Sequence, residues 1–161
     1  MEKIGFIGLG YMGHGMAKNI VEKGYELTVV GHRNRAPIED VVKRGAKEAK
    51  SIPELARAST IVFLCVTGSK EVEAVILGEN GLAQHLAAGS IIVDTSTSDP
   101  VSTMKLYAEC AARGITLVDA PLSRTPKEAW EGTLDTMVGA TDDVFARVKP
   151  VMEKWAGRVI H

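Results

Sequence analysis

Apolar runs and amphipathic stretches alternate along most of the chain. Strand-like runs fall at Lys3–Gly8, Leu27–Val30, Ile61–Val66, Ser90–Asp94 and Thr116–Asp119. Helical patterns are predicted between them at Tyr11–Lys23, Pro37–Arg44, Ser69–Leu77 and Pro100–Arg113. The strand runs are rich in Val, Ile and Leu without polar alternation. That predicts burial on both faces, as in a parallel sheet covered by helices. Gly24, Gly45 and Gly114 follow helical patterns as left-handed caps, and Asp99-Pro100 reads as an N-cap followed by proline at the first helical position. The βαβα rhythm predicts an α/β fold, a doubly wound parallel sheet. After Pro121 the rhythm changes to a short C-terminal strand–helix–strand extension at Thr133–Val138, Asp142–Trp155 and Gly157–His161.

Length and charge narrow the picture. The 161 residues make one domain, long enough for a sizeable core. A formal net charge of −1 leaves no basic surplus for neutralising nucleic-acid phosphates. No apolar stretch reaches spanning length, and Met1-Glu2 leads straight into the first strand, so a cytoplasmic protein is expected. Cys65 and Cys110 sit in apolar surroundings without metal-like spacing and read as reduced thiols.

The candidate chemistry begins at the first turn. Gly8-Leu9-Gly10-Tyr11-Met12-Gly13 follows an apolar strand and opens an amphipathic helix. In that context G-x-G-x-x-G cradles the pyrophosphate of a dinucleotide. Gly8 allows the tight turn, Gly10 lets backbone approach the pyrophosphate, and Gly13 permits close packing of the helix. The helix N-terminus supplies partial positive charge. At the end of the second strand an NAD site would place a carboxylate for the ribose hydroxyls. The sequence has Gly31-His32-Arg33-Asn34-Arg35 there. A guanidinium forks onto a 2′-phosphate, so NADP is the expected cofactor, with Arg33 as chief contact and Asn34 beside it.

These motifs resemble a known family. Gly8-Leu9-Gly10-x-Met12-Gly13-x-Gly15-Met16-Ala17-x-Asn19 is similar to the signature of the β-hydroxyacid dehydrogenases, which include 3-hydroxyisobutyrate dehydrogenase and 2-hydroxy-3-oxopropionate reductase and, more distantly, 6-phosphogluconate dehydrogenase. Leu64-Cys65-Val66-Thr67, Asp94-Thr95-Ser96-Thr97-Ser98-Asp99-Pro100, and Asp119-Ala120-Pro121-Leu122-Ser123 with Gly132-Thr133-Leu134 and Met137-Val138-Gly139 resemble later family segments. The resemblance implies a Rossmann domain over residues 1–161 that binds NADP(H) within an oxidoreductase. Its reaction would interconvert a small β-hydroxy acid and its semialdehyde or keto acid. It further implies that Gly8, Leu9, Gly10, Tyr11, Met12 and Gly13 line the pyrophosphate. Val66 and Thr67 would face the cofactor, Thr97 would lie near the nicotinamide, and Ser123 would bond the substrate.

Two departures matter. The family continues D-A-P-V-S with two glycines, whereas Arg124-Thr125-Pro126 follow Ser123 here. The amides of Arg124 and Thr125 remain for a substrate carboxylate. The Arg124 side chain either clamps an acidic substrate or points outward as a structural arginine. The family's catalytic lysine, with an asparagine four residues on, lies on a helix beyond the cofactor domain, and no lysine here matches it. Lys127 precedes an Ala-Trp-Glu helical run and reads as a surface residue. The resemblance therefore implies a helical C-terminal domain after residue 161 that carries acid–base chemistry and homo-oligomer contacts. The residues shown would bind cofactor yet turn over slowly or not at all. An imine reductase on the same architecture and a non-catalytic NADP-binding module are the rival readings. His14 and His85 are expected at the surface and His32 at the adenosine end. No metal site is predicted.

Overall fold

The computed structural model describes residues 1–161 and is built on two sheets. The larger has six parallel strands: β1 (Ile4–Ile7), β2 (Leu27–Val30), β3 (Lys47–Ala49), β4 (Ile61–Leu64), β5 (Ile91–Asp94) and β6 (Thr116–Asp119). Their order is β3-β2-β1-β4-β5-β6. The chain works outward from β1 to β3 and then restarts on the other side at β4. Ligands bind at such a switch point, outside the carboxyl ends of the strands. Those ends are level, since Ile7 pairs with Leu64, Leu64 with Asp94, and Asp94 with Asp119.

Burial on both faces follows from the unbroken apolar runs. Successive side chains of a strand point to opposite faces, so the sheet sorts them into two cores. Phe6, Phe63, Ile91, Val93 and Val118 face α1 (Gly13–Glu22) and α2 (Ala36–Lys43). Val62, Leu64, Ile92 and Leu117 face the other way, towards α3 (Ile52–Arg57), α4 (Ser69–Leu77), α5 (Leu82–His85) and α6 (Pro100–Ala111). Ser51 caps α3 by accepting from the Glu54 amide, and Asp99 caps α6 by accepting from the Val101 amide.

The second sheet is wider than the strand–helix–strand extension expected from sequence. It contains β7 (Leu122–Ser123), β8 (Leu134–Met137) and β9 (Ala156–Ile160), with α7 (Pro126–Glu131) and α8 (Asp142–Met152). β7 runs antiparallel to β8, and β9 runs parallel to it. This unit shares the first core: Trp155 is fully buried and meets the Phe63 ring edge-on at 6.1 Å. At the opposite end of the sheet from the glycine loop, Arg147 of α8 clamps the chain start. Its Nε donates to Glu2 Oε1 at 2.8 Å and its Nη1 to the Gly89 carbonyl at 2.9 Å.

The sequence pattern misses four elements for physical reasons. β3 is a three-residue edge strand with Lys47 and Glu48 exposed, so it carries no apolar run. β7 has two residues, α5 has four and α3 has six, all too short for a periodic pattern to show. The first helix starts at Gly13 rather than Tyr11, because Tyr11 and Met12 belong to the glycine loop.

The Arg147 bond, helped by the Thr60 hydroxyl, holds the Glu2 carboxyl below the usual carboxylate range. A depressed carboxylate stabilises the fold above its unfolded pKa, and that contribution disappears as pH falls through the folded value. Glu2→Gln is therefore expected to lose about 0.5–1 kcal/mol at pH 7. The deficit should shrink progressively as pH falls below the ordinary glutamate range, as read by urea denaturation at neutral and acidic pH.

Candidate dinucleotide and substrate site

The glycine loop is shaped by backbone meeting backbone. Gly8 has a φ of +103°. A Cβ there would lie 2.1 Å from the Cys65 carbonyl oxygen, where β1 and β4 end together. A Cβ on Gly13 would lie 1.8 Å from the Gly8 carbonyl oxygen, because the first turn of α1 sits on the loop. A side chain at either position is excluded by the chain itself. Gly10 is different, since a Cβ there would meet nothing within 4 Å. It is exposed, directly before a ten-residue helix with no side-chain cap and no acidic residue in its first turn. The His14 amide donates to the Gly10 carbonyl at 3.0 Å. The helix dipole at an end without a side-chain cap suits an anion, and the space over Gly10 is open to one. Leu9 and Met12 turn inward onto the core, and Tyr11 projects into solvent.

Gly15 and Asn19 of the same helix do something else. A Cβ on Gly15 would lie 2.6 Å from backbone atoms of Ala129 and Trp130. The Asn19 amide nitrogen donates to the Gly15, Ala129 and Trp130 carbonyls at 2.9, 3.0 and 3.1 Å. These two residues seat α7, and with it the second sheet, on α1.

At the end of β2 the three candidate side chains separate. Arg35 is taken up by a bidentate pair with Glu48, at 2.7 and 2.8 Å. Asn34 Oδ1 accepts from the Ala36 amide at 3.2 Å and so helps open α2. Arg33 is exposed and makes no hydrogen bond or ion pair within the chain.

At the ends of β4 and β5, hydroxyl groups stitch the loops together. Asp94 is buried; its Oδ1 accepts from the Ser96 amide and its Oδ2 from the Ser98 hydroxyl, at 2.9 and 3.0 Å. Ser96 Oγ accepts from the Val66 amide at 2.9 Å, and Thr95 Oγ1 donates to the Leu64 carbonyl at 2.6 Å. Within Thr95-Ser96-Thr97-Ser98, Thr97 alone is exposed and keeps its hydroxyl free. Thr67 is exposed and Val66 half-buried at the facing loop. The bracing role of Asp94 escapes sequence reasoning, although the signal is present: an acidic residue ending a buried apolar run, with hydroxyls just beyond. Asp119 ends β6 beside Asp94. Burial, and then the Asp94 charge, hold its carboxyl above the usual range.

Ser123 lies on β7, exposed, paired across the strands with Asp135. Arg124 follows at φ +95°, in the left-handed region that favours glycine. An arginine there costs about 1–3 kcal/mol of backbone strain. Its Nε donates to Asp135 Oδ2 at 3.2 Å, and the guanidinium is half exposed. An exposed pair of this kind contributes about 0–1 kcal/mol, less than the strain. Thr125 leads into α7, its hydroxyl donating to Glu128. Lys127 is exposed on α7.

Two histidines, His14 and His85, differ from expectation. His14 is held rather than freely solvated. Its Nε2 lies 2.7 Å from Asp40 Oδ2, and its ring meets Trp130 edge-on. His85 ends α5 with Nε2 buried and unpartnered, not in a solvated turn. His32 is exposed beside Arg33. Both cysteines are free thiols, and burial pushes Cys110 up to about 11. No helix is long and apolar enough to cross a membrane.

The parallel order, the switch point and the open glycine cradle define a dinucleotide-binding domain of the Rossmann class. Residues 3–161 match the model of the NAD binding domain of 6-phosphogluconate dehydrogenase, and the chain belongs to that family. It is 34% identical to the NAD-dependent L-serine dehydrogenase of Pseudomonas aeruginosa, over all of this chain and 54% of that protein. It is 38% identical to the 2-hydroxy-3-oxopropionate reductase of Escherichia coli, over 94% of this chain and 51% of that one. Among solved structures, Psf3 in complex with NADP+ and 2-OPP superposes with a TM-score of 0.91 at 30% identity, over 98% of this chain and 55% of that one. Likeness to an imine reductase of Streptomyces aurantiacus, at 23% identity and a TM-score of 0.86, is one of fold alone. The chain spans about half the length of the curated relatives it matches.

Gly10 and Gly15 make opposed predictions. Gly10→Ala is expected to leave the melting temperature unchanged while weakening dinucleotide binding about tenfold or more. Gly15→Ala is expected to lower stability by about 1–3 kcal/mol, since α7 must move. Thermal melts and a cofactor titration on both variants check the contrast.

Proposed function

We propose that this chain is the NADP(H)-binding half of an oxidoreductase that interconverts a small β-hydroxy acid and its semialdehyde or keto acid. The observation that carries the reading is the open cradle over Gly10 at the uncapped start of α1, level with the ends of β4, β5 and β6. Relatives whose names are those of dehydrogenases and reductases of small hydroxy acids support the reaction class.

In this reading Gly8, Leu9, Gly10, Tyr11, Met12 and Gly13 hold the pyrophosphate. Val66, Thr67 and the free Thr97 hydroxyl flank the nicotinamide end. The Ser123 hydroxyl and the amides of Arg124 and Thr125 orient the substrate. The cofactor, when bound, supplies hydride chemistry, and the protein supplies orientation and charge balance. A hydroxyl that loses hydride must also lose its proton. By the family resemblance the proton acceptor is a lysine carried outside these residues, in a helical domain that also serves oligomer contacts; Lys127 lies exposed on α7 and does not match it. The setting is cytoplasmic.

The preference for NADP rests on Arg33. Arg35 is engaged by Glu48, which leaves Arg33 as the uncommitted guanidinium at the end of β2. Arg33→Ala is expected to weaken NADPH binding by about 10- to 100-fold and leave NADH binding unchanged, as measured by calorimetric titration. Equal affinities of the unaltered protein for the two cofactors would overturn the preference. The 161-residue chain alone is expected to bind NADPH without oxidising it in the presence of an aldehyde acid. Sustained turnover by that chain would remove the need for an outside lysine.

A further inference from the structure

The Arg124 side chain stands where backbone geometry favours glycine, and the surrounding contacts show which way its fork is presented. Ser123 and Asp135 are cross-strand partners in the antiparallel pair of β7 and β8. Directly opposed residues of such a pair project their side chains on the same face. Arg124 Nε reaches Asp135 Oδ2 at 3.2 Å, which brings the guanidinium to the face that carries the Ser123 hydroxyl. The bond to Asp135 occupies Nε alone. Arginine has five donors in a rigid plane, so both terminal nitrogens remain unpaired. They are half exposed and oriented by a carboxylate behind them. A surface ion pair could be made by a lysine or an arginine from an unstrained neighbouring position. The turn after β7 holds this position in the left-handed region, so the side chain that stands here is presented immediately beside Ser123.

We propose that Arg124 reads a second anionic group on the substrate. The substrate class is then a small hydroxy acid, or its aldehyde, that carries two acid groups. One group meets Ser123 and the following amides, and the other meets the terminal nitrogens of Arg124 in a bidentate pair. Asp135 is a positioning residue that holds the fork in plane. The inference rests on the oxidoreductase reading given above and adds to it the charge of the substrate.

The test uses the full-length protein with NADP+ and two matched alcohols, 3-hydroxypropionate and 2-(hydroxymethyl)succinate. The second is the first with an added carboxymethyl group. The unaltered protein is expected to favour the diacid about tenfold or more in kcat/KM. Arg124→Gly should abolish that preference by raising KM for the diacid, so that the diacid-to-monoacid ratio of kcat/KM falls to about one. The glycine also relieves backbone strain, so this variant should melt no lower than the parent, which separates loss of recognition from loss of fold. Arg124→Lys should retain part of the preference, since charge remains and the fork does not. A parent preference for the monoacid, or an unchanged ratio in Arg124→Gly, overturns this inference alone. Absence of turnover with both alcohols, and with their aldehydes and NADPH, overturns the oxidoreductase reading and this inference with it.

Discussion

The close approach of main chain to main chain around the first turn of α1 is the constraint on which the rest of the structure depends. Three contacts there leave no room for a methyl group: Gly8 against Cys65, Gly13 against Gly8, and Gly15 against Ala129 and Trp130. The first fixes β1 against β4 at the switch point. The second holds the helix start over the loop, where it has no side-chain cap. The third seats α7, and so places β7 and Ser123 at the same edge of the molecule. Gly10, in the middle of this crowding, is the glycine that the chain's own packing does not require. Crowding on three sides and open space on the fourth give the loop its ligand-binding geometry.

The strand ends are polar, and their polarity is sorted between internal and external use. Asp94 is buried with two carboxyl oxygens that need partners, and the Ser96 amide and the Ser98 hydroxyl supply them. Burying an unsatisfied carboxylate would be far more costly than the few hydrogen bonds gained. Thr95 and Ser96 then tie this loop to the end of β4. The outcome is a rigid shelf from which the Thr97 hydroxyl projects without a partner. The same division recurs at β2, where Arg35 is committed to Glu48 and Arg33 is not. In both places the internally bonded residues hold still the neighbour that remains available to a ligand.

Much of this was legible in the residues. The five longest strands of the main sheet and the glycine loop follow from apolar runs and spacing, because burial on both faces leaves a clear mark. β3, α3, α5 and β7 were not legible, since each is short and takes its stability from neighbours rather than from its own pattern. The site was legible in part. Gly15 and Asn19 read as part of a nucleotide signature, whereas their contacts run to α7. Three arginine and asparagine side chains in a row look equivalent in sequence. Only the position of Glu48, thirteen residues on from Arg35, separates them. Contacts of that range have no periodic signal to betray them.

The side chains between α1 and α2 tie the glycine-loop helix to the helix that follows β2. Asp40 of α2 lies 3.0 Å from Arg44 Nε and 2.7 Å from His14 Nε2. Arg44 reaches Glu22 of α1 at 3.1 Å, and Lys18 and Arg44 both lie over the Trp130 ring. The Arg44 bond, and then the His14 bond, hold the Asp40 carboxyl below the usual range, so it is ionised at neutral pH. Each of these partly exposed pairs adds less than about 1 kcal/mol, which is too little to decide whether the domain folds. Their effect is geometric. His14 belongs to the first turn of α1, just after the glycine loop, and Asp40 belongs to α2, which begins at Ala36 just after the Arg33 loop. A bond between them sets the helix carrying the anion-binding turn against the helix that carries the Arg33 loop. Trp130, on α7, extends the same network to the element that follows Arg124. One cluster of individually weak contacts thus joins the glycine-loop helix, the helix after the Arg33 loop and the helix after Arg124.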